Sequence, residues 1–234
     1  MEHTISKRLR AIVNQVQYRS VADIGTDHGY IPLALARLMK IDKAAACDIN
    51  KGPLARAAKN IDEAGLSHII ETRLGSGLSP VRHGEFETAV IAGMGGMLIR
   101  DILSAEPTCA KSFRQLVLQP QRDIPTLRRF LHSQGYGIVD EALVMEDGIF
   151  YFILDCRPWA EKPYDDAGYA FGQILIDEKD HVLRDYIQTE YNKIDKVLSQ
   201  LNDICNKSRR KGTRERYEAL LRQKKLCEDV LAWL

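Results

Sequence analysis

The chain has 234 residues, 45% of them hydrophobic, enough for one large core with a smaller appendage. A formal charge of +1 gives the whole molecule no field to draw in nucleic acid, so any such surface must be a local cluster. Five scattered cysteines without a C-x-x-C pair argue against zinc and for reduced thiols, and no apolar run reaches membrane-spanning length. We therefore expect a cytoplasmic protein, read as a monomer, with neither metal nor membrane contact.

Ser6 to Val16 reads as an amphipathic helix, with Leu9, Ile12, Val13 and Val16 on one face. Lys7, Arg8 and Arg10 form a compact basic group that suits either RNA or solvent. The next stretch, Val21 to Pro32, organises the chain. Val21, Ala22 and Ile24 read as a buried strand that breaks at Gly25, and Pro32 opens a helix carrying Leu33, Ala34, Leu35, Ala36 and Leu38. This is the first βα unit of a nucleotide-binding sheet, and its turn N–H groups are expected to face a ligand.

Charge narrows the ligand. The turn lacks the G-x-G-x-x-G spacing that lets backbone approach a pyrophosphate, and Asp27 stands between Gly25 and Gly29. A carboxylate there repels phosphate oxygens, which disfavours a nicotinamide or flavin dinucleotide. It suits S-adenosylmethionine, which has no phosphate and carries a positive sulfonium. Asp23 precedes the turn, and Asp48 ends the next apolar run, Ala44 to Cys47, where it can hold both ribose hydroxyls.

Pro53 to Ala64 reads as a second helix closed by Gly65, and Ile69 to Leu74 as a third strand ending in Gly75-Ser76-Gly77-Leu78. That loop can cover an adenine or serve as a simple turn. Phe86 to Ala92 is a central strand that runs into Gly93-Met94-Gly95-Gly96, whose glycines admit a planar group close to backbone. Arg114 to Gln119 is a fifth strand, followed by a helix from Pro125 to Gln134 with Leu127, Phe130 and Leu131 inward and Arg128 and Arg129 outward. Tyr136–Met145 and Ile149–Cys156 flank Glu146-Asp147-Gly148 as a hairpin. Parallel strands closed by an antiparallel pair match the seven-stranded methyltransferase sheet.

From Arg157 to about Gly172 the composition breaks. Beyond it Leu183, Ile187, Tyr191, Ile194, Leu198, Leu201 and Cys205 recur at helical spacing, as do Tyr217, Leu220, Cys227, Leu231 and Leu234, with Lys224 in an inward slot. Two such helices form an antiparallel, coiled-coil-like hairpin. Its tip bears Lys207, Arg209, Arg210, Lys211, Arg214 and Arg216 against Glu215, a patch for RNA or a solvated turn.

Asp-Ile-Gly-Thr-Asp-His-Gly-Tyr-Ile-Pro at 23–32, Ile-Ala-Gly-Met-Gly-Gly at 91–96 and Leu-Gln-Pro-Gln at 118–121 resemble the bacterial tRNA (adenine(22)-N1)-methyltransferases, the TrmK family. The resemblance spans essentially the whole chain. It implies an α/β fold: a class I methyltransferase domain over residues 1–157 with a doubly wound, seven-stranded, mostly parallel sheet, a linker at 158–174, and a helical hairpin at 175–234. It also implies S-adenosyl-L-methionine as donor and tRNA, at its D-arm, as substrate. One departure is Ser76, where the family more usually has Asp or Asn.

On this reading the cofactor is held by Asp23, Gly25, Thr26, His28, Gly29, Tyr30, Asp48, Ile49, Gly75, Ser76, Gly77, Ala92, Gly93 and Met94. Gly95, Gly96, Gln119 and Pro120 form the target-base pocket. Lys7, Arg8, Arg10, Lys207, Arg209, Arg210, Lys211 and Arg214 bind tRNA. The glycine loop has no side-chain acceptor to align an exocyclic amine, which fits attack by a ring nitrogen whose lone pair carries no proton. Asp27 is the catalytic candidate: it can stabilise the cation formed on the purine and take the N6 proton, or simply cap its turn. The residues leave a small-molecule or other RNA methyltransferase, and a non-catalytic RNA-binding protein, as alternatives.

Overall fold

The computed structural model describes residues 5–207 and 211–234, the side chains of 202–211 and 213 excepted. The chain divides into two compact units, Met1–Pro163 and Tyr164–Leu234. In the first unit helix α1 (Lys7–Gln15) leads into alternating strands and helices. These are β1 (Ser20–Ile24), α2 (Tyr30–Arg37), β2 (Lys43–Asp48), α3 (Lys51–Glu63), β3 (Ile70–Leu74) and β4 (Thr88–Met94). There follow α4 (Gly96–Ala105), α5 (Pro107–Ser112), β5 (Gln115–Pro120), α6 (Ile124–Ser133), β6 (Gly137–Glu146) and β7 (Ile149–Arg157).

The strands form one seven-stranded sheet in the order β3-β2-β1-β4-β5-β7-β6. The β1–β2, β1–β4, β2–β3 and β4–β5 pairs are parallel, and β7 runs antiparallel to both β5 and β6. Ala44–Cys47, Ala89–Ile91 and Leu116–Leu118 are buried along their whole length, because helices cover both faces of a parallel sheet. The β6–β7 hairpin turns at Asp147 (φ 52°) and Gly148 (φ 77°), two left-handed residues that match the twist of the strands they join.

Helix α1 packs on one face of the sheet, with Ile12 and Val13 in the same core cluster as Val90, Val117 and Ile153. Ser6 Oγ accepts from Leu9 N at 3.1 Å, and Lys40 Nζ donates to Val13 O at 2.7 Å and Val16 O at 3.3 Å, so both ends of the helix are satisfied. Lys7 N donates to Glu146 Oε1 at 2.6 Å, which ties the start of α1 to the hairpin turn. Two features differ from expectation. Residues 96–112, unplaced in the sequence, are the helices α4 and α5. Arg128, expected in solvent, is fully buried with its Nε 2.8 Å from Glu141 Oε1 and its Cζ 5.2 Å from the Phe152 ring centroid. Its partner on the next strand accounts for the burial.

In the second unit, α7 (Asp166–Phe171) and α8 (Gln173–Asp177) precede the long helices α9 (His181–Lys207) and α10 (Lys211–Trp233). Thus part of the stretch expected as linker, 158–174, is helical and buries Tyr169 and Phe171, and α8 runs on to bury Leu175 and Ile176. Leu183, Ile187 and Leu198 of α9 and Cys227 and Val230 of α10 are buried. Lys224 occupies its inward slot because Asp195 meets it at 2.5 Å and its Nζ lies 5.0 Å from the Tyr191 ring centroid.

The Arg128–Glu141 pair carries a stability prediction. Arg128→Ala leaves a buried carboxylate without its counter-charge and is expected to destabilise the protein by about 3–5 kcal/mol. The double variant Arg128→Met, Glu141→Leu should recover most of that loss in a urea titration, whereas independent effects would simply add.

Candidate active site

The C-terminal ends of the parallel strands open into a basin of about 1550 Å³, the position where doubly wound sheets take ligands. Its floor is the bend after β1. Gly25 N and Thr26 N both donate to Cys47 O at 2.8 Å, so one carbonyl near the end of β2 fixes the start of the bend. Of the N–H groups expected to face a ligand, these two are instead consumed by the neighbouring strand. Gly25 (φ 77°) also passes beneath Met94, whose Cε would lie 1.9 Å from any Cβ placed there.

Asp23, Gly25, Thr26, Tyr30, Asp48, Ile49, Gly75, Ser76, Gly77, Ala92, Gly93 and Met94 all line this basin, together with Asp27. Asp23 is buried at 3% exposure, and burial raises its carboxyl from 3.8 to about 7. No cation pairs with it among the described residues. Asp48 Oδ1 accepts from Asn50 N at 2.6 Å, which orients the carboxylate at the tip of β2. Tyr30 and Ile49 stand 55% and 62% exposed at the rim, large apolar surfaces open to a planar ligand.

His28 and Gly29 sit behind the wall rather than on it. Both are left-handed (φ 60° and 69°). His28 O accepts from Asn60 Nδ2 at 2.9 Å, and its ring stacks on Tyr30 with centroids 5.2 Å apart. A Cβ on Gly29 would meet Ala57 Cβ at 3.4 Å, so this glycine lets α2 and α3 approach. Asp27 is solvent-accessible, with Oδ1 3.2 Å from Arg56 Nη2 and 3.4 Å from His28 Nε2.

The expected target-base residues are placed elsewhere. Gln119 is fully buried: its Oε1 accepts from Gly93 N at 3.1 Å and its Nε2 donates to Pro120 O at 3.1 Å. It braces the glycine loop. Pro120 is buried within β5, and Gly96 N donates to Arg122 O at 2.8 Å, where a Cβ would strike the Arg122 and Asp123 carbonyls. A Cβ on Gly95 would lie 2.9 Å from Arg122 Nε. These four positions shape the loop and do not line the basin.

Residues that the sequence reading did not assign to the basin line it, Arg8 among them, which was expected only as a tRNA contact. Gln121, one step beyond the end of β5, faces the opening, as do Ile5, Arg8, Leu9 and Ile12 of the N-terminal segment and Leu98 and Ile102 of α4. A signal was available for α1: Ile5, Leu9 and Ile12 recur at helical spacing, and Arg8 interrupts their apolar face. Of the other expected tRNA contacts, Lys7 and Arg10 are exposed on α1. Arg214 is exposed and pairs with Glu218 at 3.2 Å. Arg209 and Arg210 lie outside the described residues, and Lys207 and Lys211 end their helices with side chains likewise outside the description. Among the described residues no group of three His, Cys, Asp or Glu could hold a metal, and no helix is long and apolar enough to cross a membrane.

A family model described as tRNA (adenine(22)-N(1))-methyltransferase matches residues 21–224. The tRNA (adenine(22)-N(1))-methyltransferase of Bacillus subtilis (strain 168) is 31% identical over 229 residues, 94% of this chain and 96% of that protein. The crystal structure of the B. subtilis m1A22 tRNA methyltransferase TrmK aligns with a TM-score of 0.88 at 28% identity, covering 98% of this chain and 100% of that one. Sp1610 of Streptococcus pneumoniae, solved in complex with S-adenosyl-L-methionine, aligns with a TM-score of 0.86 at 30% identity over 97% and 100% of the two chains.

Asp23 makes stability depend on pH. Its folded carboxyl titrates near 7 against 3.8 in the open chain, so between these values the native state holds a proton that the unfolded state has lost. Stability falls as pH rises through that window, by on the order of 4 kcal/mol in full. Asp23→Asn should abolish this fall, seen as denaturation midpoints that differ less between about pH 5 and about pH 8 than those of the wild type.

Proposed function

The chain belongs to the TrmK family of tRNA (adenine(22)-N(1))-methyltransferases, and on that premise we propose how its basin divides between methyl donor and tRNA base. The protein is an enzyme that transfers a methyl group from S-adenosyl-L-methionine to N1 of adenine 22 in tRNA. The observation that carries the division is the acid-lined bend after β1, whose first two backbone donors, Gly25 N and Thr26 N, are consumed by Cys47 O. Its carboxylates repel a phosphate. It fits a donor with a cationic sulfur and an ammonium group, since Asp23 is buried there without a counter-ion and Gly25 and Gly93 leave bare backbone beside it.

In this reading Asp48 holds the ribose hydroxyls, and Ile49 with Gly75, Ser76 and Gly77 covers the adenine end. Asp23 faces the amino-acid end, and Thr26, Tyr30, Ala92 and Met94 complete the wall. His28 and Gly29 act at one remove by setting the position of Tyr30 and the start of α2. When bound, S-adenosylmethionine supplies a methyl group on a positively charged sulfur.

Adenine N1 carries an in-plane lone pair and no proton, so no residue must act as a base before transfer. The chain's task is alignment, which is the larger part of the rate enhancement for such a reaction. As the N1–CH₃ bond forms and the S–CH₃ bond breaks, positive charge moves to the purine. In this scheme Asp27 stabilises that charge and takes the N6 proton afterwards, a role supported by its position on the basin wall beside Arg56 and His28.

The target base must leave its stack to enter the basin. Lys7, Arg8 and Arg10 on α1, with Lys207, Arg209, Arg210, Lys211 and Arg214 around the hairpin tip, grip the D-arm region through its phosphates. We place the enzyme in the cytoplasm as a monomer without a metal, in keeping with its buried free thiols at Cys47, Cys109, Cys156 and Cys227.

Two measurements test this scheme. Asp27→Ala should keep cofactor affinity near the wild-type value while lowering turnover at saturation roughly 10- to 100-fold. Lost affinity with normal turnover would withdraw its catalytic role. Reversing Arg209, Arg210 and Lys211 to Glu should raise the Kd for tRNA by about tenfold or more while calorimetry shows the same cofactor binding. An unaltered tRNA Kd would refute the hairpin grip.

A further inference from the structure

The basin wall carries four carboxylates, Asp23, Asp27, Asp48 and Glu63, and two guanidinium groups, Arg8 and Arg37. Arg8 is half-buried, with its Cζ 5.4 Å from the centroid of the Tyr151 ring, and no carboxylate pairs with it among the described residues. A methyl group built on Gly93 would lie 3.9 Å from Arg8 Nη1 and 3.9 Å from Gln121 Nε2. Neither side chain has a hydrogen-bond acceptor among the described residues. Two sets of N–H donors thus converge over a bare, left-handed glycine (φ 78°) at the bulge of β4.

Such a notch has one kind of fitting occupant. A guanidinium partly desolvated against an aromatic ring regains its lost hydration best from paired anionic oxygens, which its planar fork matches. The carboxamide of Gln121 adds a neutral donor to the same group. We propose that Arg8 and Gln121 form an oxyanion notch that holds a phosphodiester oxygen beside the target adenosine. This rests on the division of the basin given above.

Position favours a nucleotide phosphate. The notch lies at the β4–β5 side of the opening, away from Asp48 and the Gly75–Gly77 loop, and Lys7 and Arg10 continue the positive charge outward along α1. The other source of the same chemistry is the carboxylate at the amino-acid end of the methyl donor. A notch that anchors the backbone of an extruded nucleotide sets where its base lands, which makes Arg8 a positioning residue for the transfer.

The test compares wild type, Arg8→Ala, Arg8→Lys and Gln121→Leu in two titrations. Calorimetry measures S-adenosylhomocysteine and 5′-methylthioadenosine, which shares the adenosine but lacks the amino-acid end. Binding of tRNA is measured against salt concentration. For Arg8→Ala we expect tRNA affinity to fall about tenfold and the slope of log K against log salt to become shallower by about 0.7–0.9, one phosphate contact, with both nucleosides bound as before. Arg8→Lys should restore the slope but only part of the affinity, and Gln121→Leu should weaken binding about threefold without changing the slope.

If S-adenosylhomocysteine weakens while 5′-methylthioadenosine and the tRNA salt slope do not change, the notch takes the carboxylate and the phosphodiester assignment is overturned. Both nucleosides weakening together, or no change in any titration, overturns the notch itself. Failure of the wild type to bind S-adenosylhomocysteine would instead overturn the reading of the basin.

Discussion

One carbonyl constrains the site. Cys47 O takes the N–H groups of both Gly25 and Thr26. The start of the bend after β1 is therefore hydrogen-bonded to β2. In a phosphate-binding bend the N–H groups point outward to the anion. Here the first two are taken by the neighbouring strand, and acidic side chains line the floor beside them. Asp23 and Asp48, on adjacent strands, follow directly from that arrangement. So does the buried thiol of Cys47, pushed up to about 12 chiefly by desolvation and unfit to act as a nucleophile.

The acidic floor supports the charge reasoning that leads to the methyl donor. Asp23, Asp27 and Asp48 all line the basin, where carboxylates repel the phosphate oxygens of a dinucleotide, and the first two N–H groups of the bend are already used by Cys47 O. An unpaired buried Asp23 costs stability at neutral pH, and such a residue persists where a cationic ligand offsets the cost.

The sheet was legible because β1, β2 and β4 are apolar runs ended by glycine or aspartate, and the cofactor half of the basin because its residues cluster at those ends. What failed to show in the sequence depends on contacts far along the chain. Arg128 reads as surface on its own helix, and only Glu141, on the next strand, makes it a core residue. Helices α4 and α5 follow a loop whose glycines drew attention to the backbone instead. Gln119 and Gln121 are alternate residues of one motif, and nothing local says that the ladder of β5 ends between them, at Pro120. That single-residue question decides which amide braces the loop and which one faces the opening.

Its answer bears on how the transfer is controlled. A ring nitrogen with a free lone pair needs no deprotonation, so selectivity between N1 and other nucleophiles must come from geometry alone. A wall that merely surrounds the base would not supply it. The wall near the reacting atoms is stiff for reasons now visible: Gln119 holds Gly93 from beneath, the bulge fixes Met94 across Gly25, and Gly96 is locked against the Arg122 carbonyl. Rigid backbone on this side leaves the incoming base as the part that must be steered. In the proposed scheme the steering groups, Arg8 and Gln121, therefore belong at the rim of that rigid loop, where they can hold the nucleotide's backbone without competing for its reactive nitrogen.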